Sequence, residues 1–148
     1  MVIPSQIAMS HLILYTFEGT IENAELIIVG EVVKIKKSLI GYKYARIRPV
    51  SYIKGNSDED HFIIKYDEPF YMAQEDLTEF EEGEEYVLFM WKHEKYHYLV
   101  GQIGQYSIDQ NGYVFRNLEC VPLEQFVGEI KMIMIEQKEK NEMSNKAL

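Results

Sequence analysis

Between Leu26 and Lys37 the chain reads LIIVGEVVKIKK, a run dominated by branched apolar residues with polar positions only toward its end. Branched and aromatic residues fit a pleated, half-buried surface, so this run predicts a long strand. The same texture recurs in YKYARIRPVSYIKG (42–55), HFIIKY (61–66), YVLFMWKH (86–93) and YHYLVGQIG (96–104), which predict four more strands. QYSIDQNGYVF (105–115) predicts a hairpin, with Asn111-Gly112 as a type I′ turn. Ser38 to Gly41 form a short loop between the first two strands. Gly30 and Pro49 interrupt their strands, and such residues mark bulges, sharp bends or edges.

Two segments carry helical spacing instead. Ser5 to Glu18 predicts a helix, capped by Ser5, with Gly19 as its stop and Ile21 to Glu25 as a connecting turn. From Pro122 to Lys140 the apolar residues Phe126, Ile130, Ile133 and Met134 fall on one side of a second helix, followed by a frayed tail. The stretch DEPFYMAQEDLTEFEEGEE (67–85) fits neither period and reads as a long acidic loop.

The outline is helix (5–18), strands (26–115), helix (122–140), in one domain spanning 1–148. It is mainly β. Long strands with glycine or proline breaks suit a five-stranded, OB-fold-like antiparallel barrel with an N-terminal and a C-terminal helix. The expected core contains Ile27, Val29, Val33, Ile47, Ile63, Val87, Phe89 and Leu99.

Charge sharpens this picture. The 148 residues carry a formal net charge of -9, which argues against a general nucleic-acid or anionic-membrane binder. The charge is segregated. No Asp or Glu occurs from Val32 to Ser57, whereas from Asp58 to Glu85 twelve carboxylates face a single cation, Lys65. The expected surface therefore has one basic and one acidic face. No apolar run reaches the roughly 18 residues of a membrane span. The N-terminal residues lack the basic start of a leader, so the chain as given reads as cytoplasmic; a trimmed leader would leave the same residues, which keeps an extracellular placement open. The one cysteine, Cys120, forms no intrachain disulfide and is expected to be buried.

One motif names a chemistry. His93-Glu94-Lys95-Tyr96-His97 matches H-E-x-x-H, in which an α-helix places two imidazoles on one face around zinc and the Glu beside the bound water. Here the motif is flanked by strand-forming sequence. In an extended strand the two histidines would stand about 13 Å apart, too far for one metal. A tight turn at Glu94-Lys95-Tyr96 is expected instead, with the two histidines facing each other across a hairpin. A zinc-dependent hydrolase through His93, Glu94 and His97 is thus the remote reading. No catalytic residue, metal ligand or cofactor site is expected.

The run NAELIIVGEVV, followed by YIKG (52–55), FEEGEEYVLF (80–89) and GQYSIDQNGYV (104–114), resembles the tissue-inhibitor-of-metalloproteinase-like, or netrin-module-like, OB-fold domains of bacterial and archaeal proteins. The resemblance covers roughly Asn23 to Val114 plus a terminal helix. It implies a five-stranded barrel and a non-enzymatic interaction role. Animal inhibitors of that family chelate a protease's zinc through a disulfide-locked N-terminal cysteine. This chain has Met1 there, so that mechanism does not carry over.

The expectation is a non-catalytic binding module whose partner is a protein. The alternative is an oligonucleotide-binding OB-fold using the basic 34–54 hairpin, where Tyr42, Tyr44 and Tyr52 alternate with cations and could stack bases. Candidate binding residues in either case are Lys34, Lys36, Lys37, Tyr42, Lys43, Tyr44, Arg46 and Arg48. The oligomeric state is left open.

Overall fold

The computed structural model describes residues 16–66, 80–101 and 104–147. Residues 5–15 of the helix expected over 5–18, and most of the acidic loop, lie outside the described residues. The described elements are α1 (Phe17–Asn23), β1 (Leu26–Lys37), β2 (Lys43–Lys54), β3 (Phe62–Tyr66), β4 (Glu85–His93), β5 (Tyr96–Leu99), β6 (Gln105–Ile108), β7 (Tyr113–Arg116), β8 (Glu119–Pro122) and α2 (Leu123–Ala147).

The eight strands form one sheet in the order β1-β2-β3-β5-β4-β6-β7-β8, and β1 also pairs with β4. Five strands therefore close a circuit, β1-β2-β3-β5-β4-β1, and β6, β7 and β8 extend the sheet from β4. The β3–β5 contact, at Ile64 and His97, is parallel, so the sheet is mixed rather than wholly antiparallel as expected.

β1 and β4 bury both of their faces over much of their length, whereas β2 and β3 bury one. Leu26, Ile28, Val32, Ala45, Ile47, Phe62, Ile64, Leu88 and Met90 pack inside the circuit. Ile27, Val29, Val87, Phe89, Ile108, Val114 and Val121 face the other way, onto Ile21 of α1 and Phe126 and Ile130 of α2. Period-2 alternation explains the division, since neighbours on one strand point to opposite faces. The expected core list is corrected accordingly. It mixes two separate layers, Val33 is exposed, and Ile63 is only half-buried between the inward Phe62 and Ile64.

Val33 is outside because the register slips. Val32 pairs with Ile47 and Lys34 with Arg46, which leaves Val33 unmatched; Val50 and Ile53 are skipped in the same way on β2. Gly30 and Pro49 sit at one of these bulges, as expected: Val29 pairs with Ser51 and Gly30 with Pro49, with Val50 as the skipped residue. A Cβ at Gly30 would lie 2.5 Å from Ile47 Cγ2 and 3.2 Å from Leu88 Cδ1. Close approach of the side chains of both neighbouring strands therefore adds a second reason for glycine there.

The termini differ from expectation for local reasons. Thr16 is the N-cap of α1, accepting at Oγ1 from Gly19 N at 2.9 Å, so a helix begins where one was expected to end, and Gly19 lies inside it. At the other end, Pro122 closes β8 and the helix starts at Leu123, running to Ala147 rather than stopping near Lys140. Arg116 of β7 pairs with Glu129 of α2, tying the helix to the sheet extension.

The hairpin turns also depart from the simple expectation. At Asp109–Gly112 only Gly112 has positive φ (82°), whereas type I′ requires it at both central residues. Asp109 Oδ1 accepts from the backbone of Asn111 and Tyr113, and Gly112 N donates to Asp109 O, which makes an Asx-stabilised turn with Gly112 as its left-handed exit. The type I′ signature sits instead at Asn117-Leu118 (φ 48° and 67°). Leu118 is 88% exposed and occupies a conformation that suits glycine. Leu118→Gly is expected to raise stability by about 1 kcal/mol through relief of that strain. Urea unfolding checks this, and a loss of stability would show that Leu118 makes a contact worth more than the strain.

Candidate functional site

The outer face of the circuit is built from residues that alternate with the inward core. On β1 and β2, Ile35 and Ala45 sit opposite one another on the inner side. Parity then turns Lys34, Lys36, Tyr44 and Arg46 outward. On β3 the outward residues are Ile63 and Lys65; on β5 they are Tyr96 and Tyr98; on β4, Trp91 and His93. Registers place them in rows: Lys36 beside Tyr44 beside Lys65, and Lys34 beside Arg46 beside Ile63. Across β4–β5, Trp91 faces Tyr98 and His93 faces Tyr96.

Contacts join these rows into one aromatic and basic face. Lys65 Nζ lies 4.2 Å from the Tyr42 ring centroid and 5.7 Å from that of Tyr96. Tyr44 and Tyr96 approach to 5.3 Å, and Trp91 stacks on Tyr98 at 5.0 Å. Lys95, in the β4–β5 turn, sits 5.2 Å from the Tyr96 ring. Each exposed cation–π pair of this kind contributes about 0.5–1 kcal/mol.

The electrostatics of this face are unbalanced. Lys34 stands directly opposite Arg46, and Lys37 opposite Lys43. Like charges in such positions destabilise a sheet. Among the described residues, no carboxylate forms an ion pair with Lys34, Lys36, Lys37 or Arg46. In the neighbouring acidic segment, Glu59 pairs with Lys92 instead.

Of the residues expected to bind, Lys34, Lys36, Tyr44 and Arg46 share this face, and Tyr42 joins it through Lys65. Arg48 is paired with Glu31 at 3.0 Å. Lys37 and Lys43 alternate toward the rim at the end of the hairpin. Lys54, the last cation of the basic hairpin, points away from the group. Its Nζ donates to Ile21 O at 2.8 Å and Glu22 O at 3.4 Å, satisfying carbonyls at the end of α1. Burial pushes its ammonium below the ordinary pKa. Sequence reasoning missed Lys65, Lys95, Tyr96, Tyr98 and Trp91, which join the face only through the β3–β5 and β4–β5 pairings.

The H-E-x-x-H segment is not helical. Met90 to His93 pair with Tyr96 to Leu99, leaving Glu94 and Lys95 as the turn, with Glu94 at φ 58°. The two histidines do not face each other, which corrects the expected hairpin pairing. His93 is opposite Tyr96 on the outer face, and His97 is opposite Lys92 and turns inward, 4.8 Å from the Phe62 ring. Two-residue alternation at an even-length turn sends them to opposite faces. Among the described residues, no group of three or more His, Cys, Asp or Glu is arranged to hold a metal. Cys120 is exposed rather than buried, because β8 is the last strand and only its alternate residue, Val121, faces α2.

His97 is 5% exposed, and its burial lowers the imidazole pKa from the ordinary 6.5; nearby Glu59 offsets this only in part. The folded state therefore binds this proton less readily than the unfolded chain. The associated stability is complete above the ordinary value and is lost as pH falls below it toward the folded pKa. Thermal unfolding between about pH 7.5 and about pH 5 is expected to show a decline that His97→Leu reduces. An unchanged slope in that variant would assign the decline to other groups.

No protein-family model matches the chain, and no curated protein matches it with significant similarity. Among the described residues, no helix is long and apolar enough to cross a membrane.

Proposed function

We propose that the chain is a non-catalytic binding module of OB-fold type, related to the tissue-inhibitor-of-metalloproteinase-like domains it resembles, and that its outer aromatic and basic face engages an acidic segment of a partner protein. The fold reading is supported by the pairing circuit β1-β2-β3-β5-β4-β1, which is the strand order of a five-stranded OB-fold. The observation that carries the partner reading is the uncompensated Lys34–Arg46 pair set beside Tyr44 and Tyr96. A sheet gains nothing from opposed cations, whereas an incoming carboxylate set between them would offset their repulsion, and its neighbouring side chains would pack on the rings.

A second reading follows from position. On an OB-fold, the face of strands two and three, flanked by the β1–β2 and β4–β5 loops, is the usual oligonucleotide platform. The same residues lie there. Against it stands the net charge of -9, which repels a phosphate backbone.

Fluorescence anisotropy at about 0.15 M salt separates the two, using a labelled acidic peptide containing aromatic residues and a labelled oligothymidylate. The peptide is expected to bind and to lose roughly thirty-fold in affinity, about 2 kcal/mol, in the double variant Tyr44→Ala, Arg46→Ala. Micromolar or tighter oligothymidylate binding with a steep salt dependence would favour the nucleic-acid reading instead. Binding of neither probe would remove this face as the interaction surface.

A further inference from the structure

Two features outside the aromatic face remain unexplained, and they complement each other. The first is the tip of the β1–β2 hairpin. Leu39 and Ile40 are 107% and 70% exposed, an adjacent aliphatic pair held in water. The loop is ordered by its own hydrogen bonds: Ser38 N to Tyr42 O at 2.8 Å, Gly41 N to Ser38 O at 3.1 Å, and Tyr42 N to Ser38 Oγ at 3.0 Å. Lys36, Lys37 and Lys43 flank it. Such a loop presents a preformed apolar knob with a cationic collar, and a preformed knob loses little entropy on docking.

The second feature is a cleft of about 520 Å³ lined by Glu81, Glu84, Tyr86, Gln105, Ser107 and Phe115. Exposed Phe115 forms one wall, Glu81 and Glu84 line it as well, and among the described residues Gln105 Oε1 is buried with no hydrogen-bond partner.

We infer that the Leu39-Ile40 tip of one copy of this chain inserts into the Phe115 cleft of a second copy, with Lys36 and Lys37 set against Glu81 and Glu84. Apolar knob meets aromatic wall, and cationic collar meets carboxylates. Knob and cleft are different surfaces, so the contact is head-to-tail, and each added copy leaves one knob and one cleft free. The contact is small and charged, so it forms reversibly at high protein concentration and weakens with salt. The collar shares Lys36 with the aromatic face, and the variants below, at Leu39, Ile40 and Phe115, leave that face untouched.

Sedimentation velocity tests it. The full chain is expected to rise in weight-average sedimentation coefficient with concentration at about 0.02 M salt, and to return to monomer at about 0.5 M. The tip variant Leu39→Asp, Ile40→Asp and the cleft variant Phe115→Asp should each stay monomeric, with circular dichroism matching the parent. Mixed in equal amounts they should form dimers and nothing larger, because the cleft of the first still accepts the tip of the second. A parent chain that stays monomeric at low salt, a variant that still associates alone, or a mixture that stays monomeric would each overturn the inference.

Discussion

Phe126→Ala is expected to cost about 3–5 kcal/mol, the largest loss from any single truncation considered for this chain. Phe126 is fully buried where α2 meets the sheet. Its ring lies 4.9 Å from Tyr106 and 5.5 Å from Phe17, so it joins α1, α2 and β6 in the helix-side layer. Removing it leaves a cavity between helix and sheet that neither element can close alone. Met132→Ala, at an exposed position of the same helix, should change stability by no more than about 0.5 kcal/mol. Urea unfolding of both variants checks the contrast. Similar losses in the two would mean that α2 does not dock through the face described.

The opposite layer is probed by Gly30→Val. At this position any Cβ collides with Ile47, and the branches of valine add to the crowding from Ile28 and Leu88. Overpacking of this kind costs roughly 1–3 kcal/mol, and here it falls on the strand that pairs with both β2 and β4. The expected result is a loss near the top of that range, with Gly30→Ala intermediate. An effect below about 0.5 kcal/mol in the valine variant would show that the interior of the circuit has room, contrary to the packing seen.

These two positions show what the sequence made legible. The long apolar runs of β1 and β4 were readable because strands buried on both faces lose their polar alternation, and β2 and β3 were readable by their branched and aromatic content. For the same reason the division of residues between the two layers was not readable. Ile27 and Ile28 look equivalent in sequence, yet one faces α2 and the other the circuit. Val33 was assigned inward because nothing in VVKIKK announces the slipped register. β8 was missed because its turn, Asn117-Leu118, carries a leucine where the usual signal is glycine, and because a four-residue strand containing Glu119 and Cys120 has little β texture. The basic half of the candidate face was visible as a run without carboxylates. Its aromatic half was hidden, since Tyr96, Tyr98 and Trp91 reach it through pairings between strands distant in sequence. Even H-E-x-x-H became informative only once a two-residue turn separated its histidines.

The central claim is that the outer face of β2, β3, β5 and β4 is the surface through which this chain binds an acidic protein segment. Backbone amide NMR of the ¹⁵N-labelled chain, titrated with the labelled peptide's unlabelled form, tests it most directly. Shift changes are expected to concentrate at Tyr42 to Arg46, Ile63 to Lys65 and Lys95 to Tyr98, and to be reduced by Tyr44→Ala and by added salt. Changes confined to β7 and β8, or spread evenly over the surface without saturation, would contradict it.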